Sequence, residues 1–171
     1  AVARGAPPAS AAGGCTPAPI TGEGIGVVRL GMKADSLRAA CAGTAERQEP
    51  GDEGSTARVL DVPLGADTAV AEVDVGQVWR IQVRSAGLRT ADGIGVGSTL
   101  RELLRDEGAK GMGGEGRLFV TSPAHCGLSF QLAAEAARAM PQGGDAAALR
   151  RLPGDTRITR ILVVGCRKRV A

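Results

Sequence analysis

The chain of 171 residues is long enough for one domain, or for two small units that share a core. Its net charge is +3, its acidic and basic residues are interspersed, and aromatic residues make up only 2% of it. These values exclude a continuous basic surface that would follow a phosphate backbone, and they leave few aromatic side chains to stack on bases. Nucleic-acid binding is therefore not expected. The basic cluster Arg167-Lys168-Arg169 is interpreted as a solvated tail, and no apolar run is long enough to span a membrane.

The N-terminal segment is rich in Pro, Ala and Gly. It begins with Ala1-Val2-Ala3, a pattern typical of the surroundings of a signal-peptidase site. We therefore expect an exported protein, with a flexible segment at 1–19 and one ordered domain at 20–171.

The first half of the domain predicts one helix and three strands. The helix covers 34–41, with Leu37 on its apolar face, and a polar loop is expected at 46–56. The three strands are expected at 58–64, 69–75 and 78–85. In the last of these, simple alternation places Trp79, Ile81 and Val83 on the core side and Val78 and Arg80 on the other.

The second half predicts a similar order of elements. Thr99 and Glu102 form a T-x-x-E capping box that starts a helix, and 111–116 is expected to be a glycine-rich loop tip. Strands are predicted at 116–121, 127–132 and 158–164, and the last is apolar on both faces and therefore central. Between the second and third lies an insertion with one or two helices, the second of them capped by Asp145.

The two halves resemble each other. Their closing strands share the pattern Arg-Ile-x-Val, which begins at Arg80 and at Arg160, and their helix entries also align. We interpret this as a divergent duplication, with repeat one at 20–88 and repeat two at 89–171. The predicted fold class is α+β: two helix–strand–strand–strand repeats, with the helices packed on one face of an antiparallel sheet and the other face open.

The chain contains Cys15, Cys41, Cys126 and Cys166. Their long spacings lack the paired ligands of a zinc site, so two disulfides are favoured, with free buried thiols as the alternative. Three pairings are possible, and the sequence alone does not choose among them. The repeat favours Cys15–Cys41 and Cys126–Cys166, and disulfides imply a periplasmic or secreted protein.

No catalytic machinery is recognised in the sequence. His125 is the single histidine, and in an extended segment its side chain would point away from that of the adjacent Cys126. Ser122 and Ser129 lie in no G-x-S-x-G elbow. The protein is therefore expected not to be an enzyme and to use no cofactor or metal.

One family resemblance can be traced. The segment 28–33, followed by Leu37, resembles the Gly-Met-Thr helix entry of the SmpA/OmlA (BamE-like) lipoproteins and of the β-lactamase inhibitory proteins, which contain the unit in tandem. Lys33 stands where that family has its capping Thr. Residues 76–81 look like the Gly-x-Val-x-x-Ile hairpin of the same fold. The resemblance implies a binding or adaptor role in the cell envelope, without catalysis.

The sequence thus predicts a non-catalytic exported protein that binds a partner protein in the cell envelope, through its open sheet face or the loops at 86–97 and 109–116. The alternative is a periplasmic protein that binds a small molecule or an envelope polymer in a pocket between sheet and helices. The candidate binding residues are Trp79, Arg80, Arg84 and Arg160, and the three arginines are the candidate anion contacts.

Overall fold

The computed structural model describes residues 14–166. In chain order its helices and strands are β1 (Ile20–Thr21), β2 (Gly24–Ile25), β3 (Val28–Arg29), α1 (Ala34–Ala40), β4 (Ala45–Pro50), β5 (Thr56–Leu64), β6 (Asp67–Asp74), β7 (Gln77–Val83), α2 (Leu100–Leu103), β8 (Lys110–Gly114), β9 (Arg117–Thr121), β10 (Leu128–Leu132), α3 (Ala134–Ala139), β11 (Gly143–Asp145), α4 (Ala146–Leu149) and β12 (Ile158–Val163). Strands β1–β3 form a small sheet. The other strands form an antiparallel main sheet in the order β11-β8-β9-β10-β12-β7-β6-β5-β4.

The predicted α+β class is wrong, because the described part of the chain is mostly β-structure. Its helices are only four to seven residues long, too short to form a layer on one face of the sheet. Helix α2 shows the reason. It starts at the predicted capping box of Thr99 and Glu102. A few residues later the carboxylate of Asp106 accepts hydrogen bonds from the backbone N–H of Gly108 and of Ala124, which turns the chain instead of continuing the helix.

Three strands of the main sheet were not predicted. The segment expected as a polar loop contains most of β4, the glycine-rich loop tip contains most of β8, and β11 lies in the helical insertion. These segments have low strand propensity, and their backbones are extended because they pair with a neighbour. In β8, a Cβ on Gly113 would lie 2.1 Å from the carbonyl oxygen of Pro141, so this close approach requires glycine.

Other predictions are confirmed. Strands β5, β6, β7, β9, β10 and β12 lie where alternation and apolar runs placed them, and β12 is the central strand of the main sheet. Asp145 caps α4 by accepting a hydrogen bond from the backbone N–H of Ala148 at 2.8 Å.

The core lies against one face of the main sheet. One row of apolar residues runs in register across five strands, through Leu60, Ala71, Ile81, Val163 and Leu128. These side chains are buried together with residues of the small sheet and of the short helices, among them Ile25, Val28, Leu37, Leu100 and Leu149. A mixture of small sheet, helical turns and loops therefore closes the core in place of the predicted helical layer.

Both disulfides have the predicted pairing. Cys15–Cys41 joins the N-terminal arm to the end of α1, and Cys126–Cys166 joins the segment before β10 to the segment after β12, with Cα–Cα distances of 4.9 and 5.1 Å. Two disulfides fit a secreted or otherwise extracytoplasmic protein. Within residues 14–166, no helix is long and apolar enough to cross a membrane.

The predicted repeats meet at the centre of the main sheet. Strand β7 pairs with β12 so that Ile81 lies opposite Val163 and Val83 opposite Ile161, a register that is symmetric about Gln82 and Leu162. A duplication would produce this symmetry. The duplication itself stays a prediction, and so do the limits of the two repeats at 20–88 and 89–171. The start of the segment expected to be flexible and the Arg167–Arg169 cluster lie outside the described residues. Cys15 is fixed by its disulfide and by its backbone N–H, which donates to the carbonyl of Pro63 at 2.9 Å.

Candidate binding site on the open face of the sheet

The face of the main sheet opposite the core, here called the open face, contains most of the polar side chains of the central strands. Its members alternate with the core residues, so they are fixed by the same strands. They include Glu49 of β4, Glu72 of β6, Arg80 and Gln82 of β7, Arg117 and Phe119 of β9, Gln131 of β10, and Arg160 and Leu162 of β12, with Arg84 directly after β7.

The open face is concave. Glu49 on the edge strand β4 accepts hydrogen bonds from Gln82 at 3.2 Å and from Arg84 at 2.9 Å, although β5 and β6 lie between β4 and β7. In a flat sheet these strands would be about 14 Å apart, so the sheet must curl toward its open face. A cleft of about 380 Å³ results, with the end of β4 on one side and the β8–β9 hairpin on the other.

The position of Trp79 differs from the prediction. The register between β6 and β7 shifts after Glu72, so Glu72 pairs with Arg80 while the next residue, Val73, pairs with Val78. This β-bulge breaks the alternation, and Val78 and Ile81 both face the core. The expectation that Trp79 packs on the core side is therefore wrong: its side chain is 48% exposed, and the Arg80 guanidinium lies 4.5 Å from its ring centroid.

Arg80 forms a two-pronged ion pair with Glu72. Its Nη2 donates to Glu72 Oε1 at 2.8 Å, and its Nε donates to the other carboxylate oxygen. Glu72 is only 3% exposed, so the pair is largely removed from water. Both residues also line a second depression with Trp79, at the end of the sheet near the β6–β7 turn.

Glu49 is held by three side chains. Besides the bonds from Gln82 and Arg84, it accepts one from Arg47 Nη1 at 2.7 Å. Burial alone would raise the pKa of Glu49, but the hydrogen bonds from Arg47 and Arg84 outweigh it and hold the pKa below its usual value. Glu49 is therefore a fixed negative charge on the rim of the cleft.

Arg160 lies on the central strand β12 of the open face. It is half-buried, and it donates to the amide oxygens of Gln131 at 2.8 Å and Gln82 at 3.2 Å. Its guanidinium lies 5.9 Å from the centroid of the Phe119 ring. Among the described residues, no carboxylate lies within ion-pair distance of it. Burial lowers the pKa of Arg160, and the positive charges of Arg117, Arg84 and Arg80 lower it further.

Arg160 shares a depression of about 320 Å³ with two other arginines, Arg84 and Arg117, and with Gln131 and Thr159. Of the four predicted binding residues, the structure brings Arg84 and Arg160 together in this depression, and Arg80 lines the cleft with Arg160. Trp79 lies in the second depression, near the β6–β7 turn. Arg117 was missed. Because Leu118 and Val120 face the core, alternation in this predicted strand would have placed Arg117 and Phe119 on the same side as Arg160.

A second polar cluster lies between the segment before α2 and the segment before β10. His125 Nε2 is 2.9 Å from Asp92 Oδ2, and its Nδ1 is 3.4 Å from the hydroxyl of Ser122. These contacts between Ser, His and Asp side chains were not predicted. They do not have the arrangement of a catalytic triad, because the Ser122 hydroxyl is buried and donates to Asp106 at 2.5 Å, away from the histidine.

Metal ligation is not indicated by any cluster within 14–166, since no three His, Cys, Asp or Glu side chains there converge as ligands would. The open face is therefore the candidate site. It is a concave, arginine-containing surface on a disulfide-linked, mostly antiparallel β-domain.

Comparison with known proteins adds only to the description of the fold. No family model matches the chain, and no curated protein sequence matches it. The chain is similar to the crystal structure of the uncharacterized protein yfeY from Escherichia coli, with a TM-score of 0.53 and 13% sequence identity. The superposition covers 86% of this chain and 97% of that chain. At this identity the likeness shows a shared fold and nothing about activity.

Proposed function

We propose that this chain is a non-catalytic exported binding protein that takes a small anionic ligand, or an anionic end of an envelope polymer, into the cleft of its open face. The observation that supports this most is the half-buried Arg160, which lies among three further arginines and has only amide oxygens as hydrogen-bond acceptors among the described residues. A buried cation of this kind is stabilised by an anion.

The dimensions of the cleft also support a small ligand. Its volume of about 380 Å³ lies within the range of small-molecule sites, which is roughly 300–1,000 Å³. Its polar side chains are fixed by hydrogen bonds to one another, as in the contacts of Glu49 with Gln82 and Arg84. A ligand therefore meets donors whose positions are already set, which reduces the entropy lost on binding.

The test is a thermal-shift screen of small anions with a variant that fills the cleft. Gly114 lines the cleft, its φ is outside the left-handed region, and a Cβ built on it meets no atom within 4 Å. Gly114→Trp should therefore fold and occupy the cleft. Ala39→Trp, at an exposed position of α1, is the matched control.

A ligand present at about one hundred times its Kd should stabilise the wild type and Ala39→Trp by about 2.7 kcal/mol and leave Gly114→Trp unchanged. A library that stabilises none of the proteins, or that stabilises Gly114→Trp as much as the wild type, would contradict the proposal.

A second candidate function is binding of a partner protein in the cell envelope. It is favoured by the exposed apolar side chains at the β6–β7 end of the open face, where Val75 is 93% exposed and Trp79 is 48% exposed. Exposed tryptophan is common at the centre of protein interfaces. Affinity capture from an envelope extract should then recover one protein with the wild type and with Arg138→Ala, but not with Trp79→Ala. Recovery of no reproducible protein, or equal recovery by all three baits, would argue against it.

A further inference from the structure

Two arginines of the cleft and the adjoining depression are already paired with acidic side chains. Arg80 pairs with Glu72, and Arg84 pairs with Glu49. Arg160 differs from them, because it donates only to amide oxygens within the described part of the chain. It is therefore a half-buried cation that the protein leaves without an acidic partner, and one negative charge on a ligand would supply that partner.

The guanidinium of Arg160 has further N–H groups available to a ligand. Arginine has five N–H donors, of which one on Nε is given to Gln131 at 2.8 Å and one on Nη1 to Gln82 at 3.2 Å. Nη2 donates to no atom within residues 14–166. No side-chain polar atom of these residues is both fully buried and without a hydrogen-bond partner, so Nη2 is accessible to solvent. A ligand can therefore accept hydrogen bonds from it.

The position of this guanidinium is fixed by its amide partners. Gln82 is only 2% exposed, and its Nε2 donates to Glu49 at 3.2 Å. Its Oε1 accepts from Arg84 at 2.6 Å as well as from Arg160. A ligand thus meets a donor that is already oriented, which lowers the entropy lost on binding.

We propose that Arg160 binds the carboxylate of a small monocarboxylic acid, and that the apolar part of this acid lies in the cleft against Phe119 and Met112. This rests on the proposed function of the cleft and specifies its ligand. A carboxylate has one negative charge and two acceptor oxygens, which matches one guanidinium with N–H groups still available.

The acidic side chains of the cleft disfavour a ligand with more negative charges. Glu49 and Glu72 line the cleft, and so do the exposed Glu53 and Glu115. A second negative charge on the ligand would be repelled by these carboxylates. A monocarboxylate is therefore expected to bind more tightly than a phosphate monoester of similar size.

Phe119 and Met112 provide an apolar wall for the rest of the ligand. Both line the cleft, and the Phe119 ring centroid lies 5.9 Å from the Arg160 guanidinium carbon. Met112 is 60% exposed, so a ligand in the cleft would cover apolar surface that now faces water. An acid with an aromatic or aliphatic group is therefore expected to bind more tightly than acetate.

The experiment is isothermal titration calorimetry at pH 7 and constant ionic strength, with phenylacetate and three matched probes. Acetate lacks the apolar part, phenylacetamide lacks the charge, and phenyl phosphate has a second negative charge for most of the time at this pH. The wild type should bind phenylacetate at least about tenfold more tightly than any of the three.

Variants of Arg160 test its role. Arg160→Gln should weaken the binding of phenylacetate at least about tenfold. Arg160→Lys keeps the charge but loses the fork, and it should bind with intermediate affinity. Arg138→Gln, which makes the same change of charge at an exposed position of α3, should change the affinity less than about twofold.

A variant of the apolar wall keeps the test valid if Arg160→Gln does not fold. Met112 is exposed, so Met112→Ala should fold normally, and it should weaken phenylacetate binding at least about threefold. Val27→Ala, which also shortens an exposed apolar side chain but lies outside the cleft, should leave the affinity unchanged.

The proposal is overturned if the wild type shows no saturable binding of phenylacetate, if phenylacetamide or phenyl phosphate binds as tightly, or if folded Arg160→Gln binds like the wild type. If acetate binds as tightly as phenylacetate, or Met112→Ala binds like the wild type, the placement against Phe119 and Met112 is wrong. If phenylacetate does not bind but another anion stabilises the wild type and not Gly114→Trp, the carboxylate assignment fails and the proposed function stands.

Discussion

Several charged side chains of the open face form ion pairs that are partly shielded from water. The pair of Glu72 and Arg80 is the most buried of them, with side-chain exposures of 4% and 20%. Removing the Glu72 carboxylate removes two charge-assisted hydrogen bonds from a site that is largely shielded from water. Glu72→Gln should therefore lower the free energy of unfolding by about 1.5–3 kcal/mol, measured by urea denaturation at neutral pH.

The double variant Glu72→Gln/Arg80→Gln separates this mechanism from a simple loss of packing. It removes both charges, so it should be more stable than the sum of the two single changes predicts. The matched control is Glu135→Gln, whose exposed pair with Arg138 should contribute less than about 0.5 kcal/mol. Strict additivity of the Glu72 and Arg80 changes would show that the two charges are not coupled.

Glu49 gives the open face a dependence on pH. Its pKa in the folded protein is held below the ordinary value of 4.5, so its contribution to stability is complete above about pH 5 and is lost as the pH falls through the folded pKa. Glu49→Gln should be less stable than the wild type by about 1–3 kcal/mol at pH 7. The difference should shrink as the pH falls below 4.5, because the wild-type carboxylate becomes protonated.

Thermal denaturation of both proteins between pH 7 and pH 3 measures this difference. Other carboxylates with lowered pKa values, such as Asp92 and Asp106, are present in both proteins and do not affect it. A difference in melting temperature that stays constant over the whole range would show that Glu49 is not an ionised partner of Arg47 and Arg84.

Among the elements, the β6–β7 hairpin has an unfavourable turn. Its two central residues both have positive φ, 46° at Val75 and 75° at Gly76. This backbone favours Asn-Gly, whereas a β-branched residue with positive φ is strained. Val75 is 93% exposed, so its side chain contributes little packing. Val75→Asn should therefore stabilise the protein by about 1 kcal/mol and raise the melting temperature by a few degrees.

Val27→Asn is the control for this prediction. Val27 is also exposed, but it does not have a positive φ, so the same change of side chain should give no stabilisation there. Equal effects at both positions would mean that loss of an exposed valine, and not relief of the turn, is responsible.

The elements also show how far the sequence determined the fold. Strands with a regular apolar face, such as β5 and β10, were predictable because alternation requires only the residues of the strand itself. Strand β4 could not be predicted, because its polar residues are extended only through pairing with β5. The bulge that exposes Trp79 could not be predicted either, because a register shift depends on the partner strand. The arginine depression combines strands that are distant in sequence. Arg84 and Arg160 were proposed beforehand, and alternation in the predicted strand at 116–121 would also have indicated Arg117.

At the scale of the whole molecule, the edges of the main sheet are protected against pairing with other chains. One edge is β4, which is charged along its length and ends at Pro50, and the other is the short β11. Such edges discourage strand addition by a partner. Binding through the concave open face is therefore better supported than binding through a sheet edge.

The two disulfides stabilise different parts of this architecture. Cys15–Cys41 spans 26 residues of sequence and Cys126–Cys166 spans 40. In the chain-entropy model each contributes about 3–4 kcal/mol, and the longer loop contributes about 0.4 kcal/mol more. Cys126–Cys166 also fastens the central strand β12 to β10, whereas Cys15–Cys41 fastens the N-terminal arm to α1.

Replacing Cys126 and Cys166 together by alanine should therefore destabilise the protein more than replacing Cys15 and Cys41. Denaturation of both double variants under oxidising conditions measures the difference, after a non-reducing peptide map has verified the two pairings in the wild type. A reducing agent should lower the melting temperature of the wild type below that of either variant kept oxidised, because it opens both loops. If the loss of Cys15–Cys41 is the more costly, fixing the N-terminal arm matters more to the fold than closing the longer loop at the centre of the sheet.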